Sequence, residues 1–341
     1  MLSSRAKTVL NVIVSDYIRE ATPIASETIA RRKEVRVSPA TIRNDVVELE
    51  QAGFIMRPHA SAGSIPLDKG YRLYVETVPD AKIEYIPDHV RGFIHREMIE
   101  VERDIEDWSR VAAAVLARLV DNMAIATFPK AKESRVKHLE LVRVQDVLAL
   151  LIVVFEQTSV RRQLIRFPKP VTVAGLQESS NRLKQKLVGL TRREIKAQQM
   201  SVDNLEDDLV SSAIVMLENE DRSAHRDYYL DGLRNLLAQP EFSDKESVRR
   251  FVKTVEDGTL ARAVLDEAPE AGLIKVVIGQ ENRGDLLWPF TVVIGQYGVP
   301  GEATGAVGAV GPIRMEYTRT IAGVGLMAEV MSEMVENVRE M

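Results

Sequence analysis

Apolar residues recur at intervals of three and four in the first fifty residues of the chain, with polar breaks between the runs. This spacing is typical of amphipathic helices, and it predicts a helix over 4–20, a short helix over 26–32 and a third over 38–53. Ala21-Thr22-Pro23 ends the first helix, and a basic turn separates the second from the third. The order helix, short helix, turn, helix is that of a helix-turn-helix.

The third helix carries its own start and stop signals. Ser38 is a good N-cap, Pro39 suits the first helical position, and Gly53 supplies a stop. The apolar residues of this helix fall on one face, which is therefore predicted to be buried: Ile42, Val46 and Leu49.

The opposite face of the third helix holds residue types that read DNA bases. It carries Ala40, Asn44, Val47 and Gln51, with Arg43 beside them. Arg matches the two acceptors of guanine, Asn matches adenine, and Ala can touch a thymine methyl. We therefore predict a recognition helix in which Arg43 and Asn44 read bases beside Ala40 and Val47. For Arg43, a surface ion pair with Asp45 or Glu48 is the alternative, and for Asn44 it is a solvated helix residue.

The residues after the third helix predict the wing of a winged helix. Residues 54–57 alternate like a strand, and residues 58–66 are rich in small residues, Gly and Pro, as in a hairpin tip. Asp68 can then cap a helix over 69–78.

Several residues around the helix-turn-helix are candidates for contacts with the DNA backbone. Thr41 and the first-turn amides behind Ser38 can hold a phosphate, because a helix N-terminus attracts anions. The other candidates are Arg36, Arg57, His59, Lys69 and Arg72. For Arg72, an internal salt bridge is the alternative.

After residue 78, the pattern predicts an α+β protein. Pro79 and Pro87 bracket a linker over 79–87, and a long helix follows over 88–123, either packed on its own domain or forming a coiled coil with a second chain. Strands are predicted over 138–144, 147–156, 160–167, 272–280, 288–297 and 305–310, with helices over 176–188 and 316–340.

The composition is that of an ordinary globular chain with a mildly basic start. The 341 residues are 45% hydrophobic, contain no Cys, and lack an apolar run long enough to span a membrane. The net charge is −5, of which the first 78 residues contribute +2 and the remainder −7. A weakly basic DNA-binding segment gains little non-specific affinity for DNA, so a second copy would raise the affinity, and we expect a homodimer. The absence of Cys fits a cytoplasmic protein.

No motif calls for a cofactor, a metal or catalysis. The GxGxxA spacing at 323–328 lies in a helical pattern without a preceding strand, and close packing explains the glycines at 305, 308 and 311 better than a phosphate loop does. The histidines show no metal-ligand spacing. We expect no enzyme activity, cofactor or metal.

Four segments carry a resemblance to a known family. The first runs ATIRND, LEQAGFI, PHASAGSIP and DKGYRLYV; the others are DYYLDGLRNLL with QPEF at 227–242, IKVVIGQEN at 274–282 and GAVGPIRMEY at 308–317. In this order they resemble HrcA, the heat-inducible transcription repressor family of bacteria. The family's wing usually reads SAGRxPTDKGYR, whereas this chain has Ser64 for the Arg and Leu67 for the Thr, which puts a wing-to-phosphate contact at Ser64 in doubt.

The resemblance implies a domain order and a function. It implies a winged-helix domain over 1–78, a GAF-like α+β domain over 88–194 and 271–341, and an inserted dimerising domain over 195–270. It also implies repression of chaperone operons through an inverted-repeat operator called CIRCE, with the GroEL chaperonin as a partner. The alternative is a winged-helix regulator whose GAF-like domain senses a small molecule.

Overall fold

The computed structural model describes residues 2–35, 37–59, 62–77, 86–101, 105–130, 133–156, 160–198, 204–222, 228–270, 272–300 and 303–340. The helices of this part of the chain are α1 (Ser4–Glu20), α2 (Ser26–Ala30), α3 (Pro39–Gln51), α4 (Asp68–Thr77), α5 (Asp88–Ile99), α6 (Ile105–Val120), α7 (Val173–Leu187), α8 (Arg192–Ala197), α9 (Asn204–Arg222), α10 (Leu233–Leu237), α11 (Lys245–Glu256), α12 (Thr259–Leu265) and α13 (Tyr317–Glu340). The strands are β1 (Ile55–Met56), β2 (Ile65–Pro66), β3 (Met123–Thr127), β4 (Val136–Gln145), β5 (Leu148–Phe155), β6 (Val160–Arg166), β7 (Tyr228–Asp231), β8 (Ile274–Ile278), β9 (Phe290–Gly298) and β10 (Thr304–Pro312).

The described residues fall into two compact units. The first takes those of 1–128, 228–298 and 305–341, and the second takes those of 129–227 and 299–304. The first unit begins with a winged helix-turn-helix formed by α1 to α4 with the β1–β2 hairpin, which we call the head. The mixed α+β class expected from the sequence is confirmed.

A five-stranded sheet with the order β7-β3-β10-β9-β8 forms the rest of the first unit. Alternate residues of its strands point to two different cores. Ala124 and Val293 share a core with α6 and α13, whereas Ile125 and Val292 share one with α10 to α12. Because helices cover both faces, the strands are apolar almost throughout, as in other doubly covered sheets.

The second unit has a smaller sheet and a separate core. Strands β4, β5 and β6 form an antiparallel sheet with β5 in the centre, as the sequence pattern predicts for 147–156. Buried residues of its inner face, such as Leu151 and Val153, pack with Leu183 of α7 and Leu217 of α9.

The unit bounds differ from the domain bounds expected for an insertion at 195–270. Residues 228–270 belong to the first unit, because Leu236, Phe251 and Leu260 share a core with the five-stranded sheet. The helix-rich pattern of this segment says nothing about which sheet it covers.

The long helix predicted over 88–123 is wrong. The chain forms α5 and α6, with a turn at Glu100 and Val101 between them, and Met123 begins strand β3. Trp108 Nε1 donates to the carbonyl of Val101 at 3.0 Å, so a side chain of α6 holds the end of that turn. The linker predicted over 79–87 lies mostly outside the described residues, which resume at Ile86.

Candidate DNA-binding surface

Helix α3 begins and ends where its sequence signals predict. The Ser38 hydroxyl accepts the N–H of Thr41 at 3.2 Å, and Pro39 occupies the first turn. At the other end, Gly53 adopts a φ of +74°, and the N–H of Phe54 reaches the carbonyl of Leu49 at 2.9 Å. This is the Schellman arrangement, which satisfies the last carbonyls of a helix and favours glycine at that position.

The inner face of α3 is buried as predicted, and it contains a carboxylate that the apolar pattern did not reveal. Ile42, Val46 and Leu49 are at most 1% exposed. Asp45 lies among them at 2% exposure and accepts two hydrogen bonds from Arg5 of α1, at 2.8 and 2.9 Å. A buried carboxylate is tolerated only with such a partner. Asp45 follows Ile42 by three residues and precedes Leu49 by four, so it lies on the same side of the helix, and this spacing is the signal that could have identified it.

A second buried carboxylate fixes α2. Asp16 of α1 is 2% exposed and accepts a hydrogen bond from Arg32 Nε at 3.0 Å and one from Arg19 Nη2 at 2.7 Å. Arg32 follows α2, so this cluster joins the first two helices. Together, Asp16 and Asp45 hold α2 and α3 in place on α1.

The outer face of α3 is solvent-accessible, as the recognition-helix prediction requires. Ala40, Arg43 and Asn44 are exposed, and Val47 is 39% exposed. Arg43 does form a surface ion pair, but its partner is Glu27 of α2, at 2.9 Å, and not Asp45 or Glu48. Asp45 is unsuitable because it faces the interior.

The wing is a short antiparallel hairpin in which Ile55 pairs with Pro66 and Met56 with Ile65. The expectation that position 64 lies at the tip is wrong. Ser64 is 2% exposed, and its backbone forms a two-way bridge with Ile24, at 2.8 and 3.0 Å. The difference from the family pattern at Ser64 therefore lies inside the head.

The cations near α3 differ in how far the protein already engages them. Arg57 pairs with Glu50 of α3, at 3.0 Å from Nε, and Lys69 donates to the carbonyl of Ala52 at 2.9 Å while it lies over the Phe54 ring. His59 is exposed.

Arg72 points away from the other candidates. It forms the internal salt bridge considered as its alternative, donating to Glu281 at 2.8 Å and to the carbonyl of Val276 at 2.7 Å. The structure therefore leaves Thr41, the outer face of α3 and His59 at least partly accessible on the head, and directs Arg72 to the five-stranded sheet. Arg36 lies outside the described residues.

Asp68 does not cap α4 as predicted. It is the first residue of the helix, and its carboxylate accepts the N–H of Gln280 at 2.9 Å.

Two further observations bear on other kinds of site. Among the described residues, no three acidic or His side chains are grouped so that they could hold a metal ion. No helix in the described ranges is long and apolar enough to cross a membrane.

Comparison with known proteins places these features in context. A family model described as HrcA protein C terminal domain matches residues 106–321, and a DeoR-like helix-turn-helix domain matches residues 17–66. The chain is 37% identical to the heat-inducible transcription repressor HrcA of Dehalococcoides mccartyi, over 98% of this chain and 96% of that protein. It is 33% identical to the repressor of the same name from Chloroflexus aggregans, over 98% and 93%. A crystal structure described as that of a hypothetical protein matches with a TM-score of 0.59 at 24% identity, over 99% of both chains.

Proposed function

The chain belongs to the HrcA family of heat-inducible transcription repressors, so it is a DNA-binding repressor and not an enzyme, and we propose that it binds an inverted-repeat operator as a homodimer. The observation that supports this proposal is the exposed outer face of α3, held on a buried scaffold. The family resemblance adds a CIRCE-type operator upstream of chaperone operons, the GroEL chaperonin as a partner, and a cytoplasmic location.

In the proposed complex, α3 lies in the major groove. Arg43 and Asn44 read base edges, and Ala40 and Val47 contact them from the same face. The first-turn amides behind Ser38, with the Thr41 hydroxyl, hold a phosphate. The Thr41 hydroxyl lies 3.0 Å from the Ser38 hydroxyl, so the two side chains are already ordered at the helix start.

The remaining contacts with the DNA backbone come from around the hairpin and the start of α4. His59 and Lys69 are the exposed candidates, and Arg57 and Arg36 complete the proposed set. A lysine ammonium has three donors, and Lys69 gives one to Ala52, so it can still meet a phosphate. We leave Arg72 out of the set because Glu281 and Val276 engage its guanidinium.

Arg43→Ala tests the docking of α3. We expect it to cost about 1–3 kcal/mol per half-site and to relax the base preference there, because the bidentate contact with guanine is lost. Footprinting across the organism's chaperone promoters would locate the operator, and gel shifts on that operator would measure the loss.

Glu27→Gln is the matched control, because it removes the same ion pair and leaves Arg43 in place. This variant should keep the base preference of the parent. If Arg43→Ala bound the operator as tightly as the parent, α3 would not be the base-reading helix.

The outer face of the three-stranded sheet supports the homodimer. On this face Leu150 of β5 lies between Val142 and Leu164, which are 44% and 58% exposed. In the next rows Ile152 lies between Glu140 and Arg162, and Val154 lies next to Val160, which is 51% exposed. Contiguous exposed apolar patches mark interaction sites, and we propose that a second copy covers this one.

The charges at the rim of this face suit a symmetric pairing. Glu140 of β4 and Arg162 of β6 lie in one row, on opposite sides of Ile152. A two-fold axis parallel to β5 would place β4 of each copy over β6 of the other and bring Glu140 opposite Arg162 twice. Within one copy, Lys184 Nζ lies 3.9 Å from a carboxylate oxygen of Glu140.

A further inference from the structure

The head meets the five-stranded sheet through one face of α4. Asp68 and Arg72 are four residues apart and therefore on the same side of this helix. The Asp68 carboxylate accepts the N–H of Gln280, and Arg72 donates to Glu281 and to the carbonyl of Val276. We call these five residues the junction.

The sheet side of the junction is an edge strand. Strand β8 is the last in the order β7-β3-β10-β9-β8, so its outer edge has backbone groups that no described strand pairs with. Arg72 satisfies one of them, the carbonyl of Val276. Glu281 also accepts the N–H of Ile278 at 2.9 Å, so its carboxylate is oriented by the sheet before it meets the head.

Gly279 shows that the two sides are fitted to each other. Its φ is +53°, and a Cβ at this position would lie 2.1 Å from Asp68 Oδ2. The carboxylate of the head therefore fills the space that a side chain of the loop would occupy.

A second set of contacts involves α1 and the adjoining side of α4. Arg314 donates to the carbonyl of Ile18 at 3.3 Å and is itself held by Glu241 at 2.7 Å. The Tyr317 ring lies 6.0 Å from that of Tyr71 and 6.3 Å from that of Tyr74. The head is thus held through α1 as well as through α4, which restricts its rotation about the junction.

The segments that carry the family resemblance converge here. DKGYR supplies Asp68 and Arg72, IGQEN supplies the loop that receives them, GPIRMEY supplies Arg314 and Tyr317, and QPEF supplies Glu241. Residues that are 212 positions apart in the sequence touch at Asp68 and Gln280.

We propose that Asp68 and Arg72 are positioning residues that fix the recognition helix relative to the five-stranded sheet and thereby narrow the range of half-site spacings at which the dimer binds DNA. This rests on the proposed function, because only a dimer reading an inverted repeat has a preferred spacing. A junction that merely stabilised the fold would lower the melting temperature and leave the spacing preference unchanged.

Gly279→Ala and Asp68→Ala disturb the junction from opposite sides. Gly272→Ala is the matched control. Gly272 lies before strand β8 and Gly279 directly after it, and both have a positive φ, which is +79° for Gly272. Gly272 differs in having open space where a Cβ would stand. All three would be compared with the parent on inverted repeats whose central spacer is shortened or lengthened by one and two base pairs.

We expect the parent and Gly272→Ala to prefer one spacing and the two junction variants to lose that preference by about tenfold, the factor that corresponds to ~1.4 kcal/mol. If both junction variants fold, bind DNA and keep the parent's spacing profile, the proposal is overturned. Failure of the parent to bind any inverted repeat would instead overturn the proposed function.

A second measurement reads the junction without DNA. The chain has no Cys, so Lys7→Cys on the head and Glu256→Cys on α11 provide two specific sites for spin labels. We expect a narrow distribution of label distances in the parent and in Gly272→Ala, and a broader one in Gly279→Ala and Asp68→Ala. Equal widths in all four proteins would show that the junction does not fix the head.

Discussion

The charged residues of the head divide by burial, and the division matches what each must do. Arg43 and Glu27 are 65% and 58% exposed, and an exposed ion pair contributes little to stability. Arg43 can therefore exchange Glu27 for a base edge at small cost. Asp45 is buried and its bond with Arg5 stays within the protein, because breaking a buried pair leaves an unpaired charge.

Lys69 and Arg72, three residues apart on α4, should respond differently to removal. Lys69→Ala should weaken binding to all DNA sequences alike and reduce the slope of log K against log salt by about one, as expected for one phosphate contact. Arg72→Ala should leave that slope unchanged and lower the melting temperature, because its partners are Glu281 and Val276. Gel shifts over a salt series would compare them, and a flattened slope for Arg72→Ala would return it to the DNA surface.

At single positions, the sequence predicts what depends on near neighbours. The buried face of α3 follows from helical spacing, and its exposed face follows with it. The partner of Arg72 cannot be predicted in this way, because Glu281 lies 209 residues further along the chain. The burial of Ser64 also depends on a distant contact, the bridge to Ile24.

Among the elements, α3 was predictable at both ends because its caps are local. The boundary between α6 and β3 was not. Asp121 and Asn122 separate the two elements, and Asp121 has a φ of +51°, so a local turn signal is present. Met123 nevertheless falls on the apolar spacing of α6 and strand β3 is buried at every residue, so helical periodicity alone extends the helix past that turn. Strand β7 is only four residues long and lies in a helical pattern, so periodicity does not reveal it.

A single charge on the outer face of the β4–β5–β6 sheet should separate the two copies of the proposed dimer. Ile152→Glu should convert the dimer to a monomer, because it places a charge in the middle of the proposed interface, and operator affinity should fall with it. Val173 on α7 is 63% exposed in the same unit, so Val173→Glu is the control and should stay dimeric. Sedimentation or light scattering would measure the mass. A dimeric, folded Ile152→Glu would move the interface elsewhere.

In the molecule as a whole, the first unit has a core on each face of its five-stranded sheet, and the second unit has a separate core beneath its three-stranded sheet. The sequence indicates the α+β class and most strands, because those depend on local periodicity. It does not indicate that residues 228–270 cover the five-stranded sheet, since a helix shows its apolar face without showing what lies against it.

Acid should destabilise the first unit through the carboxylates of the β8 region. Burial alone would raise the pKa of Glu281, but the hydrogen bonds from Arg72 and from the Ile278 N–H hold that pKa below its ordinary value of 4.5. Glu267, buried and bonded to Lys275 at 2.7 Å, also has a lowered pKa. In both cases the carboxylate takes up a proton in the unfolded chain at a higher pH than in the folded protein. Its contribution to the free energy of unfolding is therefore complete above about pH 4.5 and is lost as the pH falls through the lower pKa of the folded protein.

Thermal melts across this pH range would measure the effect. Glu281→Gln should show a smaller drop in melting temperature on acidification than the parent. Glu329→Gln, which breaks an exposed ion pair with Arg91, should behave like the parent. An equal drop for Glu281→Gln and the parent would mean that the junction carboxylate does not contribute to acid sensitivity.

The fit of Asp68 against Gly279 also bears on how new operator specificities can arise. Recombination that exchanged residues 2–77 for another winged helix would set a foreign α4 against a loop shaped for an aspartate, so an imported head would be poorly seated. Substitutions on the outer face of α3 leave that seat untouched. Operator specificity in such a protein is therefore expected to change by single substitutions at Ala40, Arg43, Asn44 and Val47. The head and the five-stranded sheet are expected to evolve together as one unit.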